Sequence, residues 1–223
     1  MRGAVLHVWL QGPPLSSPAN MLELRIQQHF IDSADLKYQG GPGLSKPLVQ
    51  AVQALLACVT SGGKVLACGA GVSGLLAAQF AAQFVGRFER ERPSLAALAI
   101  DGPLSDPQAD TRAAADAQGF ARQVRVLGEA GDVLLALTPS GESAAVLAAV
   151  SAAHEREMTV IALTGGVGSG AGGAVGRALR ETDVQVCVPH ERPLRVHEVH
   201  LTALHCLCDA VDAQLLGEQE VSP

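Results

Sequence analysis

The sequence has few aromatic residues, no excess of basic residues and no long apolar run, and each shortage excludes a class of function. Aromatic residues make up 3% of the 223 residues, too few for the stacking platform that single-stranded nucleic acid requires. The 16 Lys and Arg against 22 Asp and Glu give a formal net charge of −6, which disfavours direct binding to DNA or RNA phosphates. No stretch reaches the roughly 18 apolar residues of a membrane span. We therefore expect no direct nucleic-acid binding and no membrane insertion.

The cysteines lack the spacing of a disulfide framework or a zinc finger. Their number is odd, and they lie in apolar segments at Cys58, Cys68, Cys187, Cys206 and Cys208. The Cys-x-Cys at 206–208 has no second pair at zinc-finger spacing. We interpret all of them as reduced core residues of a cytoplasmic protein.

The composition is that of a folded domain, with 48% hydrophobic and 17% charged residues. Residues 1–20 hold an apolar stretch that is too short and too proline-rich for a signal peptide, and we expect them to be a disordered leader. Residues 21–216 form one domain, and 217–223 are expected to be a flexible tail. Helical periodicity follows the leader, and Pro47 is predicted to open a second helix that ends at the glycine pair 62–63.

Short apolar runs alternate with helical segments along the rest of the domain. The runs have the length of strands and occupy 65–68, 95–100, 133–137, 159–163 and 184–188. The helical segments occupy 74–88, 120–127, 143–156, 170–179 and 195–216. Strands that are apolar at nearly every position are buried on both faces, as in a parallel sheet. The pattern predicts an α/β fold: a three-layer αβα sandwich with a five-stranded parallel sheet, N-terminal helices and a long C-terminal helix.

The first strand end with residues suited to ligand binding reads Cys-Gly-Ala-Gly-Val-Ser-Gly and follows the run 65–68. Gly69 and Gly71 allow a tight turn, and Ser73 lies where the next helix begins and its free N–H groups can bind an anion. The spacing also matches the dinucleotide fingerprint G-x-G-x-x-G, but Asp101 comes later than the usual ribose-binding acid about 20 residues on. A tight turn that binds nothing is the other alternative.

The second such strand end reads Thr-Pro-Ser-Gly-Glu-Ser and follows the run 133–137. The hydroxyls of Thr138, Ser140 and Ser143 lie at a strand end and a helix start, where they suit a phosphate ester. Ser143 by itself is better explained as a helix N-cap. Since ligands of open parallel sheets bind beyond the carboxyl ends of the strands, the two ends together predict a phosphosugar pocket.

At these two loops the sequence resembles the sugar isomerase (SIS) domain family. CGAGVS is similar to the CGNGxS turn of that family, and TPSGES is similar to its STSGNS-type phosphate loop. The resemblance covers about residues 21–216 and is greatest for the branch that holds bacterial phosphoheptose isomerases and the DnaA initiator-associating protein. Residues 89–95 and 206–209 look most like the initiator-associating protein. The resemblance implies a SIS fold assembled as a homotetramer.

The same resemblance bears on catalysis. The isomerases carry a histidine metal ligand and, four residues later, a glutamate that is both ligand and base; Gln79 and Gln83 stand at these positions. On the last helix a glutamine ligand and a histidine acid/base are matched by His197 and His205. A neutral amide cannot abstract a proton and is a poor zinc ligand. We therefore expect no cofactor, with zinc only in an isomerase, and His205 as the one weak catalytic candidate.

Two further departures bear on ligands. His197 and His200 are spaced to chelate a metal beside Glu198, but no third ligand is evident. Glu142 stands where the family often has asparagine, and a carboxylate there is expected to weaken phosphate binding.

These observations favour a non-catalytic SIS scaffold that binds the DnaA replication initiator and promotes its assembly at the chromosomal origin, with a residual phosphosugar pocket. The alternatives are a phosphoheptose isomerase acting on sedoheptulose 7-phosphate and a sugar-phosphate sensor without turnover. Leu215 and Leu216, at the end of the last helix, either contact the partner or cap the core. The charged run 87–92 is either a solvated helix end or a surface for a partner.

Overall fold

A computed structural model describes residues 18–100, 112–168 and 171–217, with side chains described for 20–100, 118–168 and 171–217. Most of the predicted leader, Asp101 and nearly all of the predicted tail lie outside these residues. The chain divides into two compact units, Met1–Gln39 and Gly40–Pro223. The described part of the first unit is helical, and the second unit contains the sheet.

The first helix, α1, spans Pro18–Thr60 and has Pro42 and Pro47 inside it. The prediction of a second helix that opens at Pro47 is therefore wrong. A proline inside a helix removes one backbone hydrogen bond, yet the helix continues through both positions. Between the two prolines, the hydroxyl of Ser45 donates to the carbonyl oxygen of Gly41 at 2.8 Å.

The sheet contains five strands, all of them parallel to their neighbours, as predicted. In chain order they are β1 Val65–Gly69, β2 Ala97–Ala99, β3 Val133–Leu137, β4 Thr159–Gly165 and β5 Val184–Val188. Every residue of β1 and β3 is buried, because both strands have neighbours on each side and helices on each face.

Helices cover both faces of the sheet, which confirms the predicted three-layer αβα sandwich. The helices that follow α1 are α2 Val72–Val85, α3 Arg112–Leu127, α4 Ala144–Glu155, α5 Gly173–Ala178 and α6 Pro193–Leu216. The helices α3, α4 and α5 pack in sequence on one face, while α2 and α6 pack against each other on the other face. The long C-terminal helix α6 buries Val199, Leu204, Leu207 and Val211, since a helix with apolar residues on more than one side packs in a core.

Several elements are shorter than their patterns predict, and for β2 and α2 the structure shows the reason. The run 95–100 forms only the three-residue strand Ala97–Ala99, because β2 is an edge strand with a single neighbour, β1. The helix predicted over 74–88 ends at Val85, where Gly86 is its C-cap.

The strand order is β2-β1-β3-β4-β5, so the direction of chain progression reverses between β1 and β3. Gly69 at the end of β1 pairs in register with Leu137 at the end of β3. In open parallel sheets the crevice at such a reversal, outside the carboxyl ends of the strands, is where ligands bind. The topology therefore favours a ligand site at the loops that follow these two strands.

The cysteines are all free thiols, and Cys58, Cys68 and Cys208 are buried as predicted. Cys206 is exposed, so its assignment to the core is wrong. Among the helices in the described part of the chain, none combines the length and apolar character needed to cross a bilayer.

Candidate functional site

A small cavity lies where the loops after β1 and β3 meet. Its volume is about 240 Å³, and its wall is formed by Ala70, Ser73, Leu137, Thr138, Pro139, Ser140, Glu142 and Ser143. Four of the predicted phosphosugar-binding residues, which carry the hydroxyls, are thus brought together from two loops about 70 residues apart in sequence.

Glycines give the two loops their shape and allow them to pack closely. A Cβ atom on Gly69 would lie 2.6 Å from the Cβ of Ser73, so only glycine lets the first turn of α2 approach β1. Gly71 has a φ of 58°, in the left-handed region that favours glycine. On the second loop, Gly141 also has a positive φ, and a Cβ there would collide with the carbonyl oxygen of Gly172.

The hydroxyls of the second loop accept hydrogen bonds from the protein backbone. The N–H of Glu142 donates to Oγ of Ser140 at 3.3 Å, and the N–H of Val146 donates to Oγ of Ser143 at 3.4 Å. Ser143 is therefore the N-cap of α4, one of the two roles predicted for it. Because each serine accepts on its protein side, its own O–H hydrogen is left to donate to a ligand.

Among the described residues, the cavity wall contains no lysine or arginine, and its one carboxylate is engaged elsewhere. Oε1 of Glu142 accepts the N–H of Ala174 at 3.1 Å, in the first turn of α5, and lies 3.8 Å from a guanidinium nitrogen of Arg177. Both contacts draw the negative charge towards α5. The N-termini of α2 and α4 supply partial positive charge at the cavity.

The helices α2 and α6 lie side by side and contact each other through a row of side-chain pairs. Ser73 Oγ lies 3.0 Å from Nε2 of His197, and Nε2 of Gln79 lies 3.3 Å from Nε2 of His205. Further along, Sγ of Cys208 lies 3.9 Å from Oε1 of Gln83. Since the pairs occur in the same order on both helices, the helices run in the same direction.

The row of pairs extends from the cavity towards His205. Ser73 and Gln79 are six residues apart on α2, which corresponds to about 9 Å along the helix axis. The ring of His205 also packs against Phe88, with 5.4 Å between ring centroids. The imidazole of His205 thus lies beyond the hydroxyl cavity and at some distance from the predicted phosphate site.

Burial lowers the pKa of the two other histidines of this helix and favours their neutral forms. Desolvation lowers the pKa of His197 below its ordinary value, and it lowers the pKa of the fully buried His200 to about 4. Nε2 of His200 lies 3.0 Å from the carbonyl oxygen of Thr164, to which it must donate. The rings of His197 and His200 meet edge to face, 6.2 Å between centroids.

The residues present do not fit a zinc ion. Glu198 bonds to Arg195 at 2.7 Å, and no group of three His, Cys, Asp or Glu side chains in the described part of the chain has the arrangement of a metal site. At the four positions that match the family's ligands there are two amides and two imidazoles, each engaged with another protein group. A zinc site requires a better donor set than this.

One buried ion pair near the site was missed by the sequence analysis. The side chain of Arg92 is 1% exposed and that of Asp212 is 2% exposed, with 2.5 Å between Nε and Oδ1. The guanidinium also donates to the carbonyl oxygens of Phe84 and Gln83 at 2.8 and 3.0 Å, which holds the end of α2 against α6. The prediction of a solvated or partner-facing run 87–92 is therefore wrong for Arg92, because neither charge alternation nor spacing indicates its distant carboxylate.

The pair of leucines at the end of α6 is partly exposed. Leu215 and Leu216 are each 38% exposed, and the following Gly217 accepts a hydrogen bond from Arg90 at 2.8 Å. Whether these leucines contact another protein stays a prediction.

Comparisons with known proteins agree with this architecture. A model of the SIS domain matches residues 30–165. The chain is 59% identical to a phosphoheptose isomerase of Methylibium petroleiphilum over 91% of this chain and 99% of the relative. It is 48% identical to a phosphoheptose isomerase of an Azoarcus species, over 88% and 98% of the two chains.

Solved structures give the same result. The structure of a phosphoheptose isomerase from Neisseria gonorrhoeae superposes with a TM-score of 0.77 at 41% identity, covering 86% of this chain and 99% of that one. A phosphoheptose isomerase from Francisella tularensis superposes with a TM-score of 0.76 at 39% identity, covering 84% and 96%.

These findings overturn the prediction of a non-catalytic scaffold for the DnaA initiator. Near-complete coverage by relatives named phosphoheptose isomerase favours the alternative instead. The prediction failed because it was based on the amides at Gln79 and Gln83 and on short segments at 89–95 and 206–209. One of those segments contains the Arg92 that is buried against Asp212 within the chain itself.

Proposed function

Because this chain belongs to the SIS domain family, on the branch that holds phosphoheptose isomerases, we propose that it interconverts sedoheptulose 7-phosphate and the corresponding aldose phosphate. The observation that carries the proposal is the 59% identity to a phosphoheptose isomerase over 91% of the chain. A span of that length includes both loops of the hydroxyl cavity wherever it begins.

The phosphate of the substrate binds in the cavity between the loops after β1 and β3. Dianionic phosphate only accepts hydrogen bonds, and Ser140 and Ser143 retain O–H hydrogens after accepting from the backbone. The N-terminus of α4 contributes partial positive charge without a cationic side chain.

The reacting end of the sugar lies at His205. Six residues separate Ser73 from Gln79 on α2, so the contact between Gln79 and His205 is about 9 Å further along the helix. An extended seven-carbon sugar bound by its terminal phosphate reaches in this direction. The long substrate thus joins the two ends of the row of side chains.

His205 transfers the carbon-bound proton. It removes a proton from C1 of the ketose, and the electron pair moves to the carbonyl oxygen at C2 to form an enediolate. The proton of the C1 hydroxyl then passes to the neighbouring C2 oxygen, and the imidazolium returns its proton to C2 as the carbonyl forms at C1, so a single base on one face of the sugar serves both transfers at carbon. Histidine is the side chain most often used for such transfers.

The side chains of Gln79 and Phe88 orient the imidazole of His205. The amide nitrogen of Gln79 donates to Nε2, and the ring of Phe88 packs against the imidazole. The bond from Gln79 opens when Nε2 takes the substrate proton, because a neutral imidazole has only one acceptor nitrogen. A neutral amide removes no proton itself, so the roles of Gln79 and Gln83 are limited to hydrogen bonding. No step uses a metal, because the donor set around His205 does not fit zinc.

The test is a turnover assay of the purified full chain with sedoheptulose 7-phosphate, in which NMR follows formation of the aldose phosphate. We expect turnover by the unaltered protein, a loss of at least about 100-fold in kcat for His205→Asn, and no loss on treatment with a chelator. His29→Asn, on α1, is the matched control for replacement of a histidine and should leave kcat unchanged. Binding without turnover, or equal turnover by His205→Asn, would refute the proposal.

We also propose that the chain forms a homotetramer, as the resemblance implies. The helical residues of the first unit include apolar side chains at Met21, Leu22, Ile26, Phe30 and Ile31, and a lone helix cannot bury such residues within itself. Light scattering that gives the mass of a monomer would contradict this. A cytoplasmic location stays a prediction, supported by five free cysteines.

A further inference from the structure

The hydrogen bond between Ser73 and His197 joins the cavity wall to α6. Ser73 is 1% exposed and forms part of the wall, and its Oγ lies 3.0 Å from Nε2 of His197. The bond can run in either direction, because a hydroxyl and a neutral imidazole can each donate or accept. Its direction decides whether the hydrogen of Ser73 is available to a ligand.

The surroundings of the other ring nitrogen determine that direction. Nδ1 of His197 is buried and has no hydrogen-bond partner among the described residues. Among backbone groups, a buried N–H without an acceptor is rarer than an acceptor without a donor, and the same preference holds for a ring nitrogen. The hydrogen of the neutral ring therefore resides on Nε2, and Nδ1 is the bare acceptor.

The neighbouring histidine offers no alternative acceptor. Nε2 of His200 donates to Thr164, which leaves its Nδ1 bare, but this atom is also without a partner in the described part of the chain. The two Nδ1 atoms thus form no hydrogen bond with each other. Burial lowers the pKa of His197, which keeps the ring in the neutral form to which this argument applies.

We propose that His197 determines phosphate specificity by donating Nε2–H to Ser73, which fixes the Ser73 hydroxyl as a donor into the cavity. Ser73, Ser140 and Ser143 then all accept from the protein and donate to the ligand. Such a site presents three O–H hydrogens to its ligand and suits the group richest in acceptor lone pairs, a phosphate dianion, better than an uncharged sugar hydroxyl. The inference rests on the proposed function, since it concerns the same cavity.

Substitutions at position 197 separate the possible directions. His197→Gln keeps an N–H donor, His197→Leu removes the bond, and His197→Glu offers only an acceptor that draws the hydroxyl of Ser73 away from the cavity. Calorimetric titration measures Kd for sedoheptulose 7-phosphate and for unphosphorylated sedoheptulose. We expect the Kd of His197→Gln for sedoheptulose 7-phosphate to stay within about threefold of that of the unaltered protein. The variants His197→Leu and His197→Glu should bind this sugar between about tenfold and 100-fold more weakly. Binding of the unphosphorylated sugar should not change.

A double-mutant cycle with Ser73→Ala tests whether His197 acts through Ser73. If it does, His197→Leu has little further effect in the Ser73→Ala background. Persistence of the full effect in that background, or equal binding by Gln, Leu and Glu, would overturn the inference. If His197→Leu lowers the melting temperature, its weaker binding has two explanations, and the comparison of His197→Gln with His197→Glu then tests the inference. Failure of the unaltered chain to bind the sugar phosphate would overturn the proposed function as well.

Discussion

At the scale of single residues, the direction of hydrogen bonds determines what the cavity can bind. A serine that accepts from a backbone N–H or from an imidazole keeps its own hydrogen for a ligand, together with one remaining lone pair. Ser140, Ser143 and Ser73 each accept in this way, from Glu142, Val146 and His197. The site therefore needs no lysine or arginine to favour an anion.

Glu142 gives a prediction at this scale. Its carboxylate caps α5 at Ala174 but remains part of the cavity wall, so its charge still opposes a bound phosphate. Glu142→Gln keeps an oxygen acceptor for Ala174 and removes the charge. We expect the KM for sedoheptulose 7-phosphate to fall about two- to fivefold with little change in kcat, a modest effect because the side chain is exposed.

Glu142→Ala is the matched comparison, because it also removes the acceptor for the N–H of Ala174. We expect this variant to lose the benefit seen with glutamine, since the second loop is no longer held to α5. A higher KM for Glu142→Gln than for the unaltered chain would contradict this account.

At the scale of elements, the packing of α2 against α6 is fixed by a buried charge pair. Arg92 bonds to Asp212 and to the last carbonyls of α2, while Oδ2 of Asp212 has no further partner among the described residues. Removal of one member leaves a buried charge uncompensated. We expect Arg92→Met to reduce the free energy of unfolding by about 3 to 5 kcal/mol, measured by chemical denaturation.

The chain contains its own control for this prediction. Arg87 and Glu91 form an exposed i, i+4 ion pair close to Arg92 in sequence. Arg87→Met should reduce the free energy of unfolding by no more than about 0.5 kcal/mol, because exposed pairs contribute little. Equal losses of unfolding free energy in the two variants would contradict the claim that burial makes the Arg92–Asp212 pair important for stability.

The sequence predicts features that depend on local patterns and misses those that depend on contacts between distant residues. Apolar runs and glycine turns are local patterns, and they correctly indicate β1, β3 and the loops that form the cavity. The length of β2 depends on its place at the edge of the sheet, which no local pattern encodes. The hydrogen bond between Ser73 and His197 joins residues 124 positions apart, so it is visible only after packing.

At the scale of the whole molecule, one buried histidine makes stability depend on pH. The folded state lowers the pKa of His200 from 6.5 to about 4, mainly through desolvation, so the unfolded chain takes up a proton more readily. The stabilising contribution is complete above about pH 6.5 and is lost as pH falls towards 4. We expect up to about 3 kcal/mol of the free energy of unfolding to disappear over this interval.

His200→Gln checks the assignment of this pH dependence. Glutamine keeps an N–H donor for the carbonyl of Thr164 and does not titrate, so its stability profile should be flatter between pH 6.5 and 4. Denaturant titrations of both proteins at several pH values measure the difference. Parallel profiles would assign the loss of stability to other groups.

The three seryl hydrogens that line the cavity do not distinguish one tetrahedral oxyanion from another. Sulfate, arsenate and vanadate present the same arrangement of acceptor oxygens as a phosphate ester and should occupy the cavity in competition with the sugar. Fractionation with ammonium sulfate, or assay in phosphate buffer, would then raise the apparent Michaelis constant in proportion to the salt. Organic-amine buffers with chloride as the counterion avoid this competition.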